Sequence, residues 1–310
     1  MRIAVLAGGV GGARFVQALT EVVRPSDVTV IANVGDDLEV HGLHVSPDLD
    51  TLLYTLAGLG DEERGWGRAK ETWNARDTIE RLGGETWFQL GDRDLGLHLV
   101  RTEALRSGEP LSAVTGRIAR AVGLKLTLLP ATDDRLRTRI RTPAGEFEFQ
   151  EWFVARGHRD RVEEVVCDGA DEAGPAPGVL EALETAELIA IAPSNPFVSI
   201  GPILAVGEIR AAVESRRERV VAVSPLIGGR AVKGPADAMF TSLAGGTRAG
   251  QVTDCYKGLI GALVFDEADA DDADAVVERG VQPLVTRTLM SEPEAREALI
   301  ETVLGLVPTS

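Results

Sequence analysis

The stretch IAVLAGGVGGARF, residues 3–15, decides the fold class of this chain. Ile3–Leu6 reads as a short apolar strand, and the glycine-rich loop Gly8–Gly12 follows it directly. Apolar residues then recur at i, i+3, i+4 and i+7, which is typical of a helix packed on a sheet. The residues of this pattern are Phe15, Ala18, Leu19 and Val22. The β-branched segment Val28–Ala32 comes next, so the order strand, helix, strand predicts a parallel α/β sheet.

Strand patterns return in the second half of the chain, at Leu188–Ala192, Val220–Val223 and Ala262–Phe265, with helical patterns between them. Together with the first unit they predict an α/β fold, Rossmann-like and doubly wound, with a mostly parallel sheet. The middle of the chain is rich in helical patterns, and the alternating segment Thr138–Phe153 predicts a hairpin around a Pro-Ala-Gly turn.

These patterns predict a single domain over residues 1–310. Its core is expected at about 1–58 and 185–310, with a helical and hairpin insertion at about 59–184.

Composition excludes several classes of protein. The 32 Lys and Arg against 48 Asp and Glu give a net charge of −16, which argues against nonspecific nucleic-acid binding. Cys167 and Cys255 lie far apart and form no CxxC pair, so a disulfide framework and a Cys-rich zinc site are excluded. The chain has no apolar run of about 18 residues and no signal-peptide pattern. We therefore expect a cytoplasmic protein without a membrane partner.

The loop Gly8–Gly12 predicts a phosphate or nucleotide site. Glycines let the backbone approach a ligand closely, and the N-terminus of the following helix offers free N–H groups to an anion. The loop is not a Walker A motif, and Arg14 stands where a GxGxxG motif has its third glycine. The expected nucleotide-binding residues are Gly9, Gly11 and Gly12; the alternative is a plain tight turn.

A second polar segment, SPDLD, begins a predicted helix, with Ser46 as its N-cap and Pro47 in its first turn. Asp48 and Asp50 either compensate the helix dipole or serve as metal ligand and general base. Residues at i and i+2 of a helix point apart, so these two carboxylates need not share one ligand. Further polar residues at the same predicted sheet edge are Asn33, Asp36 and Asp37.

The segment QLGDRD, residues 89–94, is the densest polar cluster of the middle region. Arg93 between two acids is either part of an ion-pair network or a clamp for a phosphate. In the second case an Asp of the segment, such as Asp92, could hold Mg²⁺.

Two more polar loops follow predicted strands. Ser194 and Asn195 come directly after the strand LIAIA, and the glycine-rich loop with Gly228, Gly229 and Lys233 comes after VVAV. Each alone is typical of a turn. Three such loops at strand ends together favour a site for a nucleoside diphosphate.

Five motifs in this order, GGVGGARF, SPDLDT, WFxLGDRD, APSNPFVSIGPI and SPLIGGRAVKGPA, resemble the 2-phospho-L-lactate transferase family, CofD, or FbiA in actinobacteria. The resemblance runs from Gly8 to about Met290. It implies a step of coenzyme F-420 biosynthesis, in which a guanosine-diphosphate-activated phospholactate or phosphoenolpyruvate is joined to the deazaflavin alcohol Fo and GMP leaves. It also implies a Mg²⁺ cofactor, a homodimer and a Rossmann-like core.

The resemblance implies roles for several residues. It places the deazaflavin against Asp50 and Gln89, and we add Asn33; Gln89 departs from the basic residue that some members carry. The guanine nucleotide is expected against the GGVGG loop, Ser194–Asn195 and the loop 228–233.

The expected chemistry centres on Asp50, which would orient or deprotonate the Fo hydroxyl, with Asp48 as the alternative. Asp48 or Asp92 would hold Mg²⁺, while Arg93 and Lys233 would neutralise phosphate charge. On this hypothesis Asp50→Asn abolishes most turnover and leaves the fold intact.

A rival hypothesis is a nucleotide-sugar-binding regulatory protein without turnover, similar to the gluconeogenesis-factor proteins, which share a glycine-rich N-terminal loop. The GDRD and SPDLD motifs favour the transferase. The motifs fit either donor, and the high Ala and Arg content favours an actinobacterial, enolpyruvyl substrate.

Overall fold

The computed structural model describes residues 1–306. Its strands are β1 (Ile3–Ala7), β2 (Val28–Ala32), β3 (Leu38–Val40), β4 (Leu43–Val45), β5 (Thr127–Pro130), β6 (Arg137–Thr142), β7 (Gly145–Glu148), β8 (Glu164–Asp168), β9 (Leu188–Ile191), β10 (Val220–Val223), β11 (Leu226–Ile227), β12 (Arg230–Ala231), β13 (Ala262–Asp266) and β14 (Gln282–Thr286).

The α-helices are α1 (Gly9–Val22), α2 (Pro47–Leu56), α3 (Asn74–Arg81), α4 (Asp92–Arg106), α5 (Leu111–Ala121), α6 (Val179–Thr185), α7 (Gly201–Ala205), α8 (Gly207–Ser215), α9 (Ala236–Met239), α10 (Ala249–Cys255), α11 (Ala273–Val277) and α12 (Pro293–Leu304). Short helical segments also occur at Pro25–Asp27, Glu151–Ala155, Pro196–Ile200, Arg217–Arg219, Phe240–Ala244 and Glu267–Asp272.

The central sheet has seven strands in the order β14-β13-β10-β9-β1-β2-β5, and every pairing in it is parallel. From β1 the chain first extends the sheet through β2 to β5, and it then returns to the other side of β1 through β9 to β14. The predicted doubly wound α/β fold is therefore confirmed. The order reverses between β1 and β9, which is where open α/β sheets bind ligands at the carboxyl ends of their strands.

The core lies in and around this sheet. β1 is buried along its whole length, as expected of a central parallel strand covered on both faces. The helix face predicted for α1 is buried at Phe15, Ala18 and Leu19. Val22 departs from the prediction: it is 61% exposed, because α1 ends there and its last turn extends past the sheet.

The interval 59–184 is not wholly an insertion. It contains α3, α4 and α5 and a separate antiparallel sheet with the order β7-β6-β8, which includes the predicted hairpin. However, β5 from the same interval pairs with β2 and forms an edge of the central sheet. Of the predicted domain 1–310, residues 307–310 lie outside the described part of the chain.

Within residues 1–306 no single helix is both long and apolar enough to cross a membrane. One helix pair, Pro196–Ala205 with Gly207–Ser215, meets the length and composition criteria together but is bent by 95°.

Candidate functional site

Three predicted segments meet where β1 and β9 end. The hydroxyl of Ser194 donates to the carbonyl oxygen of Gly8 at 2.7 Å and accepts from the N–H of Gly8 at 3.2 Å. The N–H of Gly9 donates to Asp48 Oδ1 at 2.8 Å. The glycine-rich loop, the SPDLD segment and the turn after β9 thus form one site at the reversal of strand order.

The glycines of the loop are needed because two backbones touch there. A Cβ on Gly11 would lie 2.5 Å from the carbonyl oxygen of Pro193, and one on Gly12 would lie 2.6 Å from Ser194 Oγ. Any larger residue would push the loop away from the turn after β9. The close approach brings the N-terminus of α1 to the carboxyl edge of the sheet, where it is suited to an anion.

Three buried carboxylates, Asp36, Asp37 and Asp48, form what we call the acidic cluster; each is at most 7% exposed. The side-chain amide of Asn33 donates to Asp48 Oδ2 at 2.9 Å and to Asp36 Oδ1 at 3.1 Å. Its own oxygen accepts the N–H of Gly35 at 2.7 Å, which fixes its orientation. Asn33, predicted as a substrate contact, therefore joins two acids.

The acidic cluster is poorly compensated. Burial raises the pKa of Asp48 to about 6, against the hydrogen bonds from Asn33 and Gly9 that lower it. Burial, and then the charges of Asp48 and Asp37, raise the pKa of Asp36 well above its ordinary value. His44, whose Nε2 lies 2.9 Å from Asp37 Oδ2, is the one basic side chain within 4 Å of these carboxylates in the described part of the chain.

The acidic cluster fits a hydrated divalent cation. Asp37 Oδ1 is buried and has no hydrogen-bond partner among the described residues, so an acceptor atom is free. Residues 1–306 contain no group of three or more His, Cys, Asp or Glu that could hold a metal ion by themselves. Mg²⁺ does not need one, because it commonly binds to one or two carboxylates and takes its other ligands from water and substrate phosphates.

Asp50 has the opposite environment. Arg101 on α4 contacts it with both terminal nitrogens, Nη1 to Oδ2 at 3.0 Å and Nη2 to Oδ1. Burial would lower the pKa of Arg101, but the charge and hydrogen bonds of Asp50 outweigh burial and raise it. The prediction that Asp48 and Asp50 point apart is confirmed.

The GDRD segment has a structural role that its sequence did not indicate. Asp92 accepts hydrogen bonds from Thr72 Oγ1 at 2.5 Å, from the N–H of Ala75 at 3.0 Å, and from Asn74. These bonds lower the pKa of Asp92 and cap the N-terminus of α3. With its oxygens occupied in this way, Asp92 is poorly placed to bind a metal, and its predicted role as a Mg²⁺ ligand stays a prediction.

Glu71, which precedes α3, caps the N-terminus of α4. Glu71 accepts the N–H groups of Arg93 and Asp94 at 2.8 and 2.9 Å. The side chains of Arg93 and Gln89 are exposed. Their predicted contacts with phosphate and deazaflavin stay predictions.

The second glycine-rich loop is a hairpin turn between β11 and β12. Gly228 and Gly229 both have positive φ, +58° and +69°, which a tight hairpin turn of this kind requires. The N–H of Gly228 donates to Asp269 Oδ2 at 2.9 Å, so it is not free for a phosphate. Asn195 is likewise engaged, since its side chain accepts the N–H of Phe197 at 2.9 Å. For these residues the turn interpretation fits better than direct nucleotide contact.

Lys233 lies beside Arg14 of α1. Burial, and then the charge of Arg14, lower the pKa of Lys233. Its Nζ donates to the carbonyl oxygen of Gly65 at 2.5 Å. Both side chains are exposed, and no carboxylate lies within 4 Å of Lys233 or Arg14 in residues 1–306. Two unpaired cations near a glycine-rich loop are suited to a bound anion.

A cavity of about 270 Å³ opens beside β3. Its lining residues are Glu39, Val40, His41, Glu85, Trp87 and Phe88. Trp87 and Phe88 meet edge to face with 5.7 Å between ring centroids, and both are half-buried. One lining residue, Glu39, lies two positions after Asp37 of the acidic cluster, and another, Phe88, directly precedes Gln89.

Sequence reasoning missed Arg101, Glu71 and Gln150, whose amide donates to Asp36 Oδ2 at 2.8 Å. Arg101 had a detectable signal, because Asp94, His98 and Arg101 are spaced i, i+4 and i+7 on α4. Gln150, more than 100 residues from its partner, had none.

Comparison with known proteins identifies the family of this chain. The family model described as 2-phospho-L-lactate transferase CofD matches residues 3–290. A phosphoenolpyruvate transferase of Thermobifida fusca is 44% identical over 99% of this chain and 98% of its own length. One of Nocardia farcinica is 42% identical over 96% of this chain and 94% of its own length.

Among solved structures, a Bacillus halodurans protein matches with a TM-score of 0.69 at 15% identity, over 98% of this chain and 99% of that one. At that identity the likeness shows the fold alone. The family model, by contrast, covers nearly the whole chain, and the relatives exceed 40% identity across it. The chain therefore belongs to the CofD family of 2-phospho-L-lactate transferases.

Proposed function

We propose that this protein transfers a phosphoenolpyruvyl group from a guanosine-diphosphate-activated donor to the deazaflavin alcohol Fo and releases GMP, in coenzyme F-420 biosynthesis. The observation that carries the proposal is the junction of the GGVGG loop with the acidic cluster at the carboxyl ends of β1 and β9. The relatives named above are phosphoenolpyruvate transferases, which favours the enolpyruvyl donor over the lactyl one.

The donor's diphosphate is expected at the N-terminus of α1. The N–H of Gly9 is taken by Asp48, but other N–H groups of the first turn attract anions, and the close packing of Gly11 and Gly12 holds this turn in place. Arg14 and Lys233 add positive charge nearby. In a chain of net charge −16, such an unpaired pair of cations favours a phosphate over a neutral ligand.

Mg²⁺ is proposed at the acidic cluster, with Asp36 and Asp37 as its ligands; Asp48, expected from the sequence as a possible ligand, is left free to accept a proton. The support is the unpartnered Oδ1 of Asp37 among the described atoms and the raised pKa of Asp36. When bound, the ion supplies positive charge that neutralises phosphate oxygens.

Asp48 is the proposed proton acceptor. The terminal hydroxyl oxygen of Fo forms a bond to the phosphorus that carries enolpyruvate, the bond from that phosphorus to the GMP oxygen breaks, and the hydroxyl proton passes to Asp48. A pKa of about 6 suits a base that works near neutral pH. Asp50, whose carboxylate Arg101 holds, is better suited to orienting the acceptor than to taking its proton.

The acceptor's flat ring system is proposed to occupy the cavity with Trp87 and Phe88. Aromatic side chains offer such a ring both apolar area and favourable edge or face contacts. The homodimer implied by the resemblance stays a prediction.

The test is GMP release from donor and Fo in the presence of Mg²⁺, followed by chromatography. We expect turnover with wild type, a loss of roughly 100-fold or more in Asp48→Asn, and unchanged turnover in Asp77→Asn, an exposed aspartate of α3. Failure of the wild type to release GMP from either donor, with tight binding of a nucleotide sugar, would support the regulatory protein instead.

A further inference from the structure

A buried polar network joins α2 to α4. Asp94, His98 and Arg101 lie on one face of α4 and meet Asp50 and Tyr54 of α2. Each of the five residues is at most 8% exposed. Arg101 holds Asp50 at one end of the network, and the hydroxyl of Tyr54 donates to Asp94 at the other.

His98 lies between the two ends. Its Nδ1 is 3.8 Å from Asp50 Oδ2, and its Nε2 is 3.6 Å from Asp94 Oδ1. Both distances exceed a hydrogen bond, so His98 fills the space without joining the acids.

This network is not arranged for stability alone. Arg101 Nε and His98 Nε2 are buried and have no hydrogen-bond partner within residues 1–306. Unsatisfied buried polar atoms are costly, and a buried ion pair is often no more stable than apolar residues of the same size. What a two-pronged Arg–carboxylate contact provides is a fixed geometry, because the planar guanidinium meets both oxygens at once.

The geometry fixed here is that of the first turn of α2. Asp50 is in that turn, and Asp48, two residues earlier, points to the other side and accepts the N–H of Gly9. A rotation of α2 that lengthened the contacts between Arg101 and Asp50 would also move the Asp48 carboxylate relative to the glycine-rich loop.

We propose that Arg101 is a positioning residue for the transfer reaction: by holding Asp50 with both terminal nitrogens, it sets the rotation of α2 and thereby the place of Asp48 beside Gly9. This inference rests on the proposed role of Asp48. Arg101 itself is buried, and on this proposal it contacts neither substrate.

The test compares Arg101→Lys with Arg101→Met. Arg101→Lys keeps the positive charge but cannot contact both oxygens of Asp50 with a planar guanidinium, and Arg101→Met removes the charge. Both are measured in steady-state kinetics with GMP release as the readout. We expect kcat to fall roughly 100-fold in Arg101→Met and to an intermediate value in Arg101→Lys. The KM values for donor and Fo should stay within about threefold. Leu183→Ala, a truncation in the fully buried face of α6, is the control for lost stability and should keep kcat.

A double variant separates positioning from folding. Asp50→Leu combined with Arg101→Met removes both charges, so neither is left unpaired, and the Tm should recover towards wild type. Positioning by Arg101 predicts that kcat stays low in this folded protein, whereas recovery of kcat would overturn it. A direct role of Asp50 in holding Fo would appear instead as a raised KM for Fo.

Asp48→Asn, measured in parallel, separates this inference from the proposed function. If Asp48→Asn loses turnover while Arg101→Met keeps kcat within about twofold, the positioning role is wrong and the proposed function stands. If Asp48→Asn keeps wild-type turnover, the proposed role of Asp48 is wrong.

Discussion

Two carboxylates in the first turn of α2 have opposite surroundings, although only Leu49 separates them. Asp48 belongs to the acidic cluster, where in residues 1–306 no Lys or Arg nitrogen lies within 4 Å of a carboxylate. Asp50 is held by both terminal nitrogens of a buried Arg101. One side of the helix thus carries compensated charge and the other side uncompensated charge.

This difference separates a structural role from a chemical one. A buried carboxylate that is paired with an arginine has its charge neutralised by the protein itself. Buried carboxylates that repel one another are neutralised only by binding a proton or a cation from solvent. Perturbed acids in a crevice at the switch point are where catalysis is expected. The comparison therefore favours Asp48 over Asp50 as the proposed proton acceptor.

The largest loss of stability should come from replacing Asp50, the carboxylate that Arg101 compensates. Asp50→Asn leaves Arg101 buried without a counter-charge, so we expect about 3–5 kcal/mol less free energy of unfolding. Urea denaturation at pH 7 measures it. This prediction replaces the expectation from the sequence that Asp50→Asn leaves the fold intact. A loss below about 1 kcal/mol would show that the ion pair is as weak as a surface pair, and the contrast with Asp48 would fail.

Removing the uncompensated charge of Asp48 should change the free energy of unfolding in the opposite direction, towards higher stability. Because burial raises the pKa of Asp48 from 3.8 to about 6, the folded protein binds this proton more tightly than the unfolded chain, and stability falls as pH rises through that range. Asp48→Asn lacks this penalty, so at about pH 8 it should be about 3 kcal/mol more stable than wild type.

Urea denaturation of wild type and Asp48→Asn at several pH values tests this prediction. The advantage of Asp48→Asn should shrink as pH falls through about 6 and vanish near 4. A difference that does not change with pH, or a less stable variant at high pH, contradicts the assignment of uncompensated charge to Asp48.

A smaller effect is expected at Ser194, which joins the turn after β9 to the glycine-rich loop. Ser194→Ala removes the hydroxyl that both donates to and accepts from Gly8, and should cost about 1–2 kcal/mol of stability. Because the loop then loses a tether, KM for the donor should rise while kcat changes less. Thermal denaturation measures the loss of stability, and steady-state kinetics measures the KM for the donor. Ser194→Thr, which keeps the hydroxyl, is the control.

The smallest effect on stability should come from Asp92, which lies at the N-terminus of α4, the helix that carries Arg101. Asp92→Asn weakens the cap of α3 but touches nothing in the acidic cluster, so Tm should fall slightly and the Mg²⁺ dependence of turnover should not change. A strong rise in the Mg²⁺ concentration needed for turnover would restore Asp92 as a metal ligand.

Local patterns in the sequence predicted the parallel sheet, the glycine-rich loop and the divergence of Asp48 and Asp50. Each of these depends on residues within a few positions of one another, or on the rule that parallel strands end at one edge. The site's location followed from them.

The partners of the charged residues could not be predicted in the same way. The contact of Arg101 with Asp50 spans 51 residues, and the cap that Asp92 provides for α3 spans 17 or more. Gly228 and Gly229 resemble a phosphate loop in sequence, and only the pairing of β11 with β12 identifies their turn. Such pairings depend on how helices and hairpins pack, which the spacing of charges along the chain does not encode.

The bare-backbone contact of Gly11 with Pro193 has a consequence for affinity. Because no side chain stands between the two segments, folding itself locks the first turn of α1 against the end of β9. For the proposed nucleotide, the amides of this turn would be aligned before binding, so less conformational entropy would be lost in ordering them. The proposed binding of a strongly hydrated anion by a chain of net charge −16 depends on this prior alignment.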